Sequence, residues 1–220
     1  MIAPHLISHS IPPLHMDDSG EQALMLMHEY NVSQLPVVDG NSYAGLVIME
    51  DIINMKHLSK SLKNFSQAFR QPFVKDTAHI FDVMKAALEF NVRVIPVIDE
   101  EHKYMGLISA ESCLRAFAVL NSVKDPGGII ELEIPVSNYS LSEISRIVEE
   151  NEADIFCLYT HINQEENKAE ITLKLNTTEV VAIVAAFERY EYHVKAVYND
   201  VEYTEDLKDR YDSLMRYLNV

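Results

Sequence analysis

The chain contains an internal repeat, and this repetition limits the possible fold more than any other feature of the sequence. Residues 29–39 read EYNVSQLPVVD, and residues 89–99, sixty positions later, read EFNVRVIPVID. A second matching pair follows, YAGLV at 43–47 and YMGLI at 104–108, after one residue is inserted in the second copy. Two copies of one ordered pattern predict two structural units of the same small α/β kind.

Each copy begins with a predicted helix followed by a strand. Apolar residues at helical spacing follow a predicted cap at Asp18 or Ser19 in the first copy and at Thr77 in the second. Short β-branched runs then predict strands at 35–38 and 95–98. Each strand carries a proline near its start, where a missing N–H group is tolerated, namely Pro36 and Pro96.

The second strand of each copy is predicted to lead directly into a short helix. These strands lie at 43–48 and 104–109, and the helices begin near Glu50 and Glu111. A strand-to-helix junction leaves backbone N–H groups free at the helix N-terminus, and such groups favour an anionic ligand. The junctions are therefore the first place to look for a binding site.

This tandem pattern resembles a pair of CBS domains, a Bateman module, over residues 1–122. The resemblance implies a β-α-β-β-α unit twice, packed sheet to sheet about a pseudo-twofold axis. It also implies two clefts that often hold adenosine-containing ligands such as AMP, ATP or S-adenosylmethionine. We place the first CBS domain at 1–56, a linker at 57–72 and the second CBS domain at 73–124.

Each copy keeps half of the motif that ligand-binding CBS domains tend to show, in which a hydroxyl approaches phosphate and an Asp carboxylate binds the ribose diol. The first copy has Asp51 but Ile48 in the hydroxyl position, and the second has Ser109 but Ser112 in the Asp position. The alternatives are that Asp51 stabilises its helix N-terminus and that Ser109 is a plain helix cap. The resemblance implies a nucleotide-binding set of six residues: Asp51, Ser109, Pro36, Pro96, Gly45 and Gly106.

Acidic residues beside both motifs bear on the choice of ligand. Glu50 and Glu111 place negative charge near the expected phosphate position and disfavour a polyphosphate. We therefore expect a ligand with little phosphate, such as AMP, adenosine or S-adenosylmethionine, rather than ATP.

The last third of the sequence has a different pattern, which begins after the turn Asp125-Pro126-Gly127-Gly128. Alternating strands and two capped amphipathic helices predict a ferredoxin-like βαββαβ order, with the helices on one face of the sheet. Its size and order resemble an ACT domain over 128–200, which implies amino-acid sensing. The loop after the first strand lacks the Gly that ACT domains often carry there, and Asn138 is either a ligand contact or a turn residue.

The residues after this domain predict one more helix. Four apolar side chains recur at helical spacing within 201–220, and an isolated helix of this length needs a surface on which to dock. These side chains are Leu207, Tyr211, Leu214 and Leu218.

The composition of the chain excludes several classes of function. The formal net charge of −16 tells against general nucleic-acid binding and against an anionic membrane surface. Cys113 and Cys157 are two separate cysteines, typical of a reducing cytoplasm, and no apolar run is long enough to span a membrane. We find no metal-binding spacing and no catalytic arrangement.

We therefore interpret the chain as an α+β regulatory protein that is a non-catalytic ligand sensor. A small-molecule effector would bind it and bias its conformation, and the protein would form a homodimer. A separate effector protein would receive its signal. The alternative is a constitutive dimerisation or assembly module whose ligand sites are degenerate.

Overall fold

The computed structural model describes residues 1–55 and 57–199. The predicted C-terminal helix at 201–220, with Leu207, Tyr211, Leu214 and Leu218, lies outside the described residues. The chain divides after Phe117 into two compact units.

The first unit contains the predicted β-α-β-β-α order twice. The first repeat consists of β1 (Leu14–His15), α1 (Gly20–Glu29), β2 (Gln34–Asp39), β3 (Ser42–Ile48) and α2 (Met49–Ile53). The second consists of β4 (Val74–Lys75), α3 (Ile80–Glu89), β5 (Val94–Ile98), β6 (Tyr104–Ser109) and α4 (Ala110–Leu120). A 3-10 helix at Leu62–Ala68 lies between them, within the predicted linker.

Each repeat forms a three-stranded sheet whose central strand contains a proline. The short first strand of each sheet explains why this proline is tolerated. The strand orders are β1-β2-β3 and β4-β5-β6. The two residues of β1 pair only with Val37 and Val38, and those of β4 only with Val97 and Ile98. Pro36 and Pro96 therefore lie where their strands have no partner on that side, and a missing N–H costs no ladder bond.

The segment that precedes each repeat packs on the other repeat. The amides of Ala3 and Ser8 donate to the carbonyls of Ala78 and Leu107 at 2.8 Å, so residues 2–8 join the second repeat. In the same way Leu46 and Arg70 exchange two backbone hydrogen bonds, of 2.8 and 3.1 Å, and residues 62–70 join the first repeat. The two repeats are thus interlocked.

The helix caps differ from the prediction in one repeat. Ser19 caps α1 as predicted, and it forms a reciprocal capping box with Gln22. The predicted cap of α3, Thr77, is wrong, because the N-cap is His79, whose amide donates to the Asp82 carboxylate at 2.9 Å. His79 stands sixty positions after Ser19, so both caps occupy the same place in the repeat.

The second unit confirms the predicted βαββαβ order. Its elements are β7 (Ile129–Pro135), α5 (Leu141–Glu149), β8 (Ile155–Asn163), β9 (Lys168–Leu175), α6 (Val181–Arg189) and β10 (His193–Tyr198). The strands form one antiparallel sheet in the order β10-β7-β9-β8. This is a ferredoxin-like arrangement.

The two faces of this sheet differ in chemistry. Alternate residues of β7 and β9 enter a core that includes Ile144, Ile147 and Phe187 from the two helices. The opposite face carries ion pairs between Lys168 and Glu133 at 2.8 Å and between Lys195 and Glu170. The hydrogen bond from Lys168 lowers the pKa of the Glu133 carboxyl.

Among residues 1–55 and 57–199, no helix combines the length and the apolar character needed to cross a bilayer.

Candidate functional site

A cleft of the first unit lies beside the junction between β6 and α4 and has a volume of about 660 Å³. This volume falls within the range of small-molecule binding sites. Three parts of the chain form its walls: Ser8, Ser10 and Ile11; Tyr30–Gln34; and the second-repeat residues Arg93, Val94, Leu107, Ser109–Ser112 and Arg115. We call it the repeat-2 cleft. It therefore contains residues from both repeats and from the segment that interlocks them.

Ser109 lies in the wall of the repeat-2 cleft and also caps α4. Its Oγ accepts a hydrogen bond from the Ser112 amide at 3.1 Å and lies 3.0 Å from the Ser112 Oγ. The capping role is thus present in the structure, and Ser109 also lines the cleft beside the N-terminus of α4. A hydroxyl in this position has the chemistry to bind an anion together with helix N–H groups.

Three charged side chains line the repeat-2 cleft. Two are the guanidinium groups of Arg93 and Arg115, and the third is the Glu111 carboxylate. Nη2 of Arg115 lies 2.5 Å from Oε1 of Glu111, and Nε of the same arginine lies 3.2 Å from it. The cleft thus combines hydroxyl donors with a net positive charge, which suits an anionic group.

A buried glutamine that lines this cleft connects the two repeats. Gln34 of β2 is buried, and its Oε1 accepts a hydrogen bond of 2.8 Å from the Arg93 amide. Gln34 belongs to the first repeat and Arg93 to the second. A ligand that contacts both residues therefore lies beside the hydrogen bond that joins the two repeats.

A second cleft of about 420 Å³ lies beside α2, and we call it the repeat-1 cleft. Its polar residues are Asp51, Asn54, His57, Lys60 and Asn64, and its apolar residues are Val47, Ile52, Met55, Phe65, Ala68 and Phe69. Asp51 is exposed in the first turn of α2. The position that corresponds to Arg115 is Asn54, so this cleft lacks the guanidinium that the repeat-2 cleft has at that place.

The structure separates the six residues of the predicted nucleotide-binding set. Asp51 lines the repeat-1 cleft and Ser109 lines the repeat-2 cleft. Pro36, Pro96, Gly45 and Gly106 are buried strand residues that are not among those lining either cleft. Their observed surroundings are those of sheet packing.

The two glycines lie where the exchanged segments approach most closely. Gly45 has a φ of +147°, and a Cβ there would lie 2.7 Å from Phe69 Cβ and 3.0 Å from the Arg70 carbonyl oxygen. Gly106 has a φ of +140°, and its Cβ would lie 2.4 Å from Ile7 Cγ2. Both the backbone conformation and the available space therefore require glycine.

Sequence reasoning missed the cleft residues that come from distant segments. Ser8 and Ser10 precede the first repeat, and Arg93 and Arg115 look like ordinary surface residues of a helix–strand unit. One available signal was the difference between the copies, because Arg93 replaces Ser33 and Arg115 replaces Asn54.

The second unit places the other candidate residue on its surface. Asn138 ends a short 3-10 helix at Val136–Asn138 after β7, and its Oδ1 accepts a hydrogen bond of 2.9 Å from Ser137. The side chain is exposed, and the observed contact is local.

The described residues contain no group of three or more His, Cys, Asp or Glu side chains arranged to hold a metal ion.

Comparison with known proteins links the first unit to one domain type. A family model of the CBS domain matches residues 4–57 and 68–119. The chain is 21% identical over 173 residues to inosine-5'-monophosphate dehydrogenase of Methanocaldococcus jannaschii, covering 76% of this chain and 34% of that protein. It is 23% identical over 126 residues to the enzyme of the same name from Korarchaeum cryptofilum, covering 57% of this chain and 26% of that protein. The chain thus spans well under half of the length of either relative.

Solved structures with a similar fold include a CBS domain pair/ACT domain protein from Thermotoga maritima, with 24% identity and a TM-score of 0.49. That match covers 54% of this chain and 98% of the other. Another is CBSX2 in complex with AMP, with 22% identity, a TM-score of 0.48, and coverage of 56% of this chain and 98% of the other. The family match and the repeated β-α-β-β-α architecture agree: residues 4–57 and 68–119 of this chain are two CBS domains in tandem.

Proposed function

We propose that the protein is a non-catalytic regulatory sensor whose CBS pair binds an adenosine-containing ligand. The observation that carries this proposal is the repeat-2 cleft, which brings Ser109, Arg93 and Arg115 together in a space of about 660 Å³. Hydroxyl and guanidinium groups at a helix N-terminus supply the donors that a phosphate needs. Apolar residues of the same cleft, including Ile11, Val32 and Leu107, supply surface for a base.

The repeat-1 cleft offers complementary chemistry. Asp51 is the carboxylate that would accept two hydrogen bonds from a ribose diol, and Ile48 leaves its motif without a hydroxyl for phosphate. A ligand with little phosphate, such as adenosine, AMP or S-adenosylmethionine, therefore fits this cleft better than ATP does.

Signalling would follow from the composition of the repeat-2 cleft. A ligand there contacts both repeats and the segment at Ser8–Ile11, so it stabilises the arrangement in which all three meet. A ligand can shift a conformational equilibrium only by binding one arrangement more tightly than another. A separate effector protein would then read the favoured arrangement.

Calorimetric titration with adenosine, AMP, ATP and S-adenosylmethionine tests the proposal. We expect binding by at least one of these compounds. Ser109→Ala should weaken phosphate-dependent binding in the repeat-2 cleft, and Asp51→Ala should weaken ribose-dependent binding in the repeat-1 cleft. Each loss should be about 1.5–3 kcal/mol, the range for a hydrogen bond to a charged group.

Two variants control for effects outside the clefts. Ser19→Ala removes a helix cap of the same kind as Ser109 at a position that lines neither cleft, and Asp39→Ala removes an exposed carboxylate at the end of β2. Neither should change affinity. Absence of binding by all four compounds would reject the sensor in favour of the assembly module.

We propose the ACT-like unit as a second sensor, for an amino acid. Its support is the β10-β7-β9-β8 sheet with both helices on one face. A thermal-shift screen of the twenty amino acids should then produce a ligand-dependent rise in melting temperature. A melting temperature unchanged by every amino acid would contradict this part of the proposal.

Exposed apolar side chains on the CBS helices favour a homodimer, under both the sensor and the assembly interpretations. Phe81 and Leu88 on α3 are 62% and 81% exposed, and Leu114 on α4 is 68% exposed. Apolar surface of this kind marks association sites, and self-complementary surfaces pair about a twofold axis. Light scattering should give twice the chain mass of 25.1 kDa. A mass of one chain at micromolar concentration would reject the dimer.

A further inference from the structure

The charged residues of the repeat-2 cleft do not all favour an anion. Two arginines line the cleft, but Glu111 stands in the first turn of α4 and binds Arg115 one helical turn later at 2.5 Å. The carboxylate therefore occupies donors that a ligand phosphate would otherwise use. It also adds a negative charge at the same place.

The Glu111–Arg115 pair is exposed to solvent, so a ligand can reach it. The side chains of Arg115 and Glu111 are 77% and 70% exposed. An ion pair in this setting is weak and exchanges partners readily, because water screens it and two side chains must be held in place. A phosphate that enters the cleft can therefore take over Arg115 at little cost.

The first repeat provides an internal comparison. Glu50 occupies the position of Glu111, whereas Asn54 occupies that of Arg115 and Ser33 that of Arg93. Only the repeat-2 cleft combines the acidic residue with arginines at these corresponding positions. Any discrimination between ligands that depends on the Glu111–Arg115 ion pair therefore takes place in the repeat-2 cleft.

We propose that Glu111 limits the number of phosphate groups that the repeat-2 cleft accepts, and that it does so by placing a negative charge beside Arg115 that repels phosphate groups beyond the first. This inference rests on the proposed function, because it names the ligand class of the same site. Arg93 and Arg115 against Glu111 leave the cleft one net positive charge, which offsets part of the charge of a monophosphate and a smaller part of that of a polyphosphate. Each further phosphate adds charge that the cleft does not balance, and like charges at close range repel.

Calorimetric titration of the full chain with adenosine, AMP and ATP tests this role. Glu111→Gln should raise the affinity for AMP by roughly threefold and for ATP by roughly tenfold, and should leave adenosine within about twofold, because the effect follows ligand charge. The gain should shrink at high salt, since added ions screen exposed charges. Glu89→Gln is the matched control, because it breaks an exposed ion pair with Lys85 of the same i,i+4 kind at a position that lines neither cleft, and it should leave the ATP-to-AMP affinity ratio unchanged.

A second probe separates this inference from the proposed function. Inorganic phosphate and tripolyphosphate carry the charge without the nucleoside, and their binding can be followed through the backbone NMR signals of Ser109 and Ser112. Glu111→Gln should favour tripolyphosphate over phosphate relative to the wild type. If this change occurs while no adenine compound binds, the charge filter stands and the adenosine proposal fails.

Any of three outcomes would overturn the inference. One is an equal gain for adenosine, AMP and ATP in Glu111→Gln. The second is an unchanged preference between the two inorganic anions. The third is that neither the wild type nor Glu111→Gln binds either anion.

Discussion

At the scale of single residues, Gly45 and Gly106 show why both repeats need a glycine at this position of the second hairpin strand. Each lies at a register shift of its hairpin, and each faces the backbone or side chain of a segment that arrives from elsewhere in the chain. The repeated Asn31 and Asn91 have a similar explanation, because both adopt positive φ values of 52° and 50° after their helices. Asparagine tolerates this left-handed conformation better than most residues do.

A substitution at Gly45 should therefore cost more than one at a neighbouring glycine. Gly45→Ala forces a Cβ against Phe69 and Arg70 in an unfavourable backbone conformation, and we expect a loss of roughly 2–4 kcal/mol in the free energy of unfolding. Gly40→Ala is the control, because Gly40 also has a positive φ, of +58°, but nothing lies within 4 Å of its Cβ position. Urea denaturation compares the two variants. Equal losses would contradict the packing role of Gly45.

Tyr43 should make the first unit sensitive to alkaline pH. Burial, with a smaller contribution from Tyr104, raises the pKa of the Tyr43 hydroxyl above its ordinary value of 10.0, and this hydroxyl donates to the Pro72 carbonyl at 2.8 Å. As pH rises past 10, the unfolded chain loses the proton first, so stability present below pH 10 is lost above it. Tyr43→Phe should lose about 1 kcal/mol at pH 8 through the missing hydrogen bond but decline less between pH 9 and 11.

Denaturation midpoints measured across this pH range check the prediction for Tyr43. Tyr198→Phe, which changes a tyrosine that is 55% exposed in the second unit, is the control. Parallel stability curves for the wild type and Tyr43→Phe would show that Tyr43 does not cause the alkaline loss.

At the scale of helices and strands, the repeat and the apolar periodicity were sufficient to predict most elements. They predicted the helix–strand–strand–helix part of each repeat and the ferredoxin-like order, because local patterns reflect which face of an element is buried. The two-residue strands β1 and β4 were implied only by the resemblance to CBS domains. The α3 cap was wrong because Thr77 is the more usual capping residue, whereas the capping contacts come from His79 and Asp82. Periodicity could not reveal the cleft walls, since Ser8 and Arg93 meet only through the exchange of segments.

The α1 cap provides a test at this scale. Ser19→Ala removes the hydroxyl that accepts from the Gln22 amide at 3.2 Å, and we expect a loss of about 1 kcal/mol in the free energy of unfolding. Ser59→Ala, at an exposed serine of the same unit, should change stability by less than about 0.5 kcal/mol. Thermal unfolding monitored by circular dichroism distinguishes the two. A Ser19→Ala protein as stable as Ser59→Ala would show that the capping box contributes nothing.

In the first unit as a whole, the segment before the first repeat packs on the second repeat. Deleting this segment should therefore destabilise residues that lie far from it in the sequence. Residues 2–8 precede the first repeat but bond to the second through Ala78 and Leu107. Removing residues 2–9 should therefore accelerate hydrogen exchange at 78–83 and 104–109 more than at 34–48, because local openings follow lost local contacts.

Replacing residues 2–9 by a Gly/Ser segment of the same length is the control for chain length. This variant should show the same pattern of exchange, since it also lacks the contacts. Faster exchange concentrated at 34–48 in either variant would contradict the assignment of these residues to the second repeat.

The exchange of segments also imposes an order on folding during synthesis. The first repeat needs residues 62–70, which leave the ribosome soon after β3, so it can complete its sheet early. Residues 2–8 must instead wait about a hundred residues for Leu107, a separation that slows contact formation. The repeat-2 cleft, which includes Ser8 and Ser10, can form only after that wait. The site that we propose as the sensor is thus completed last within its unit.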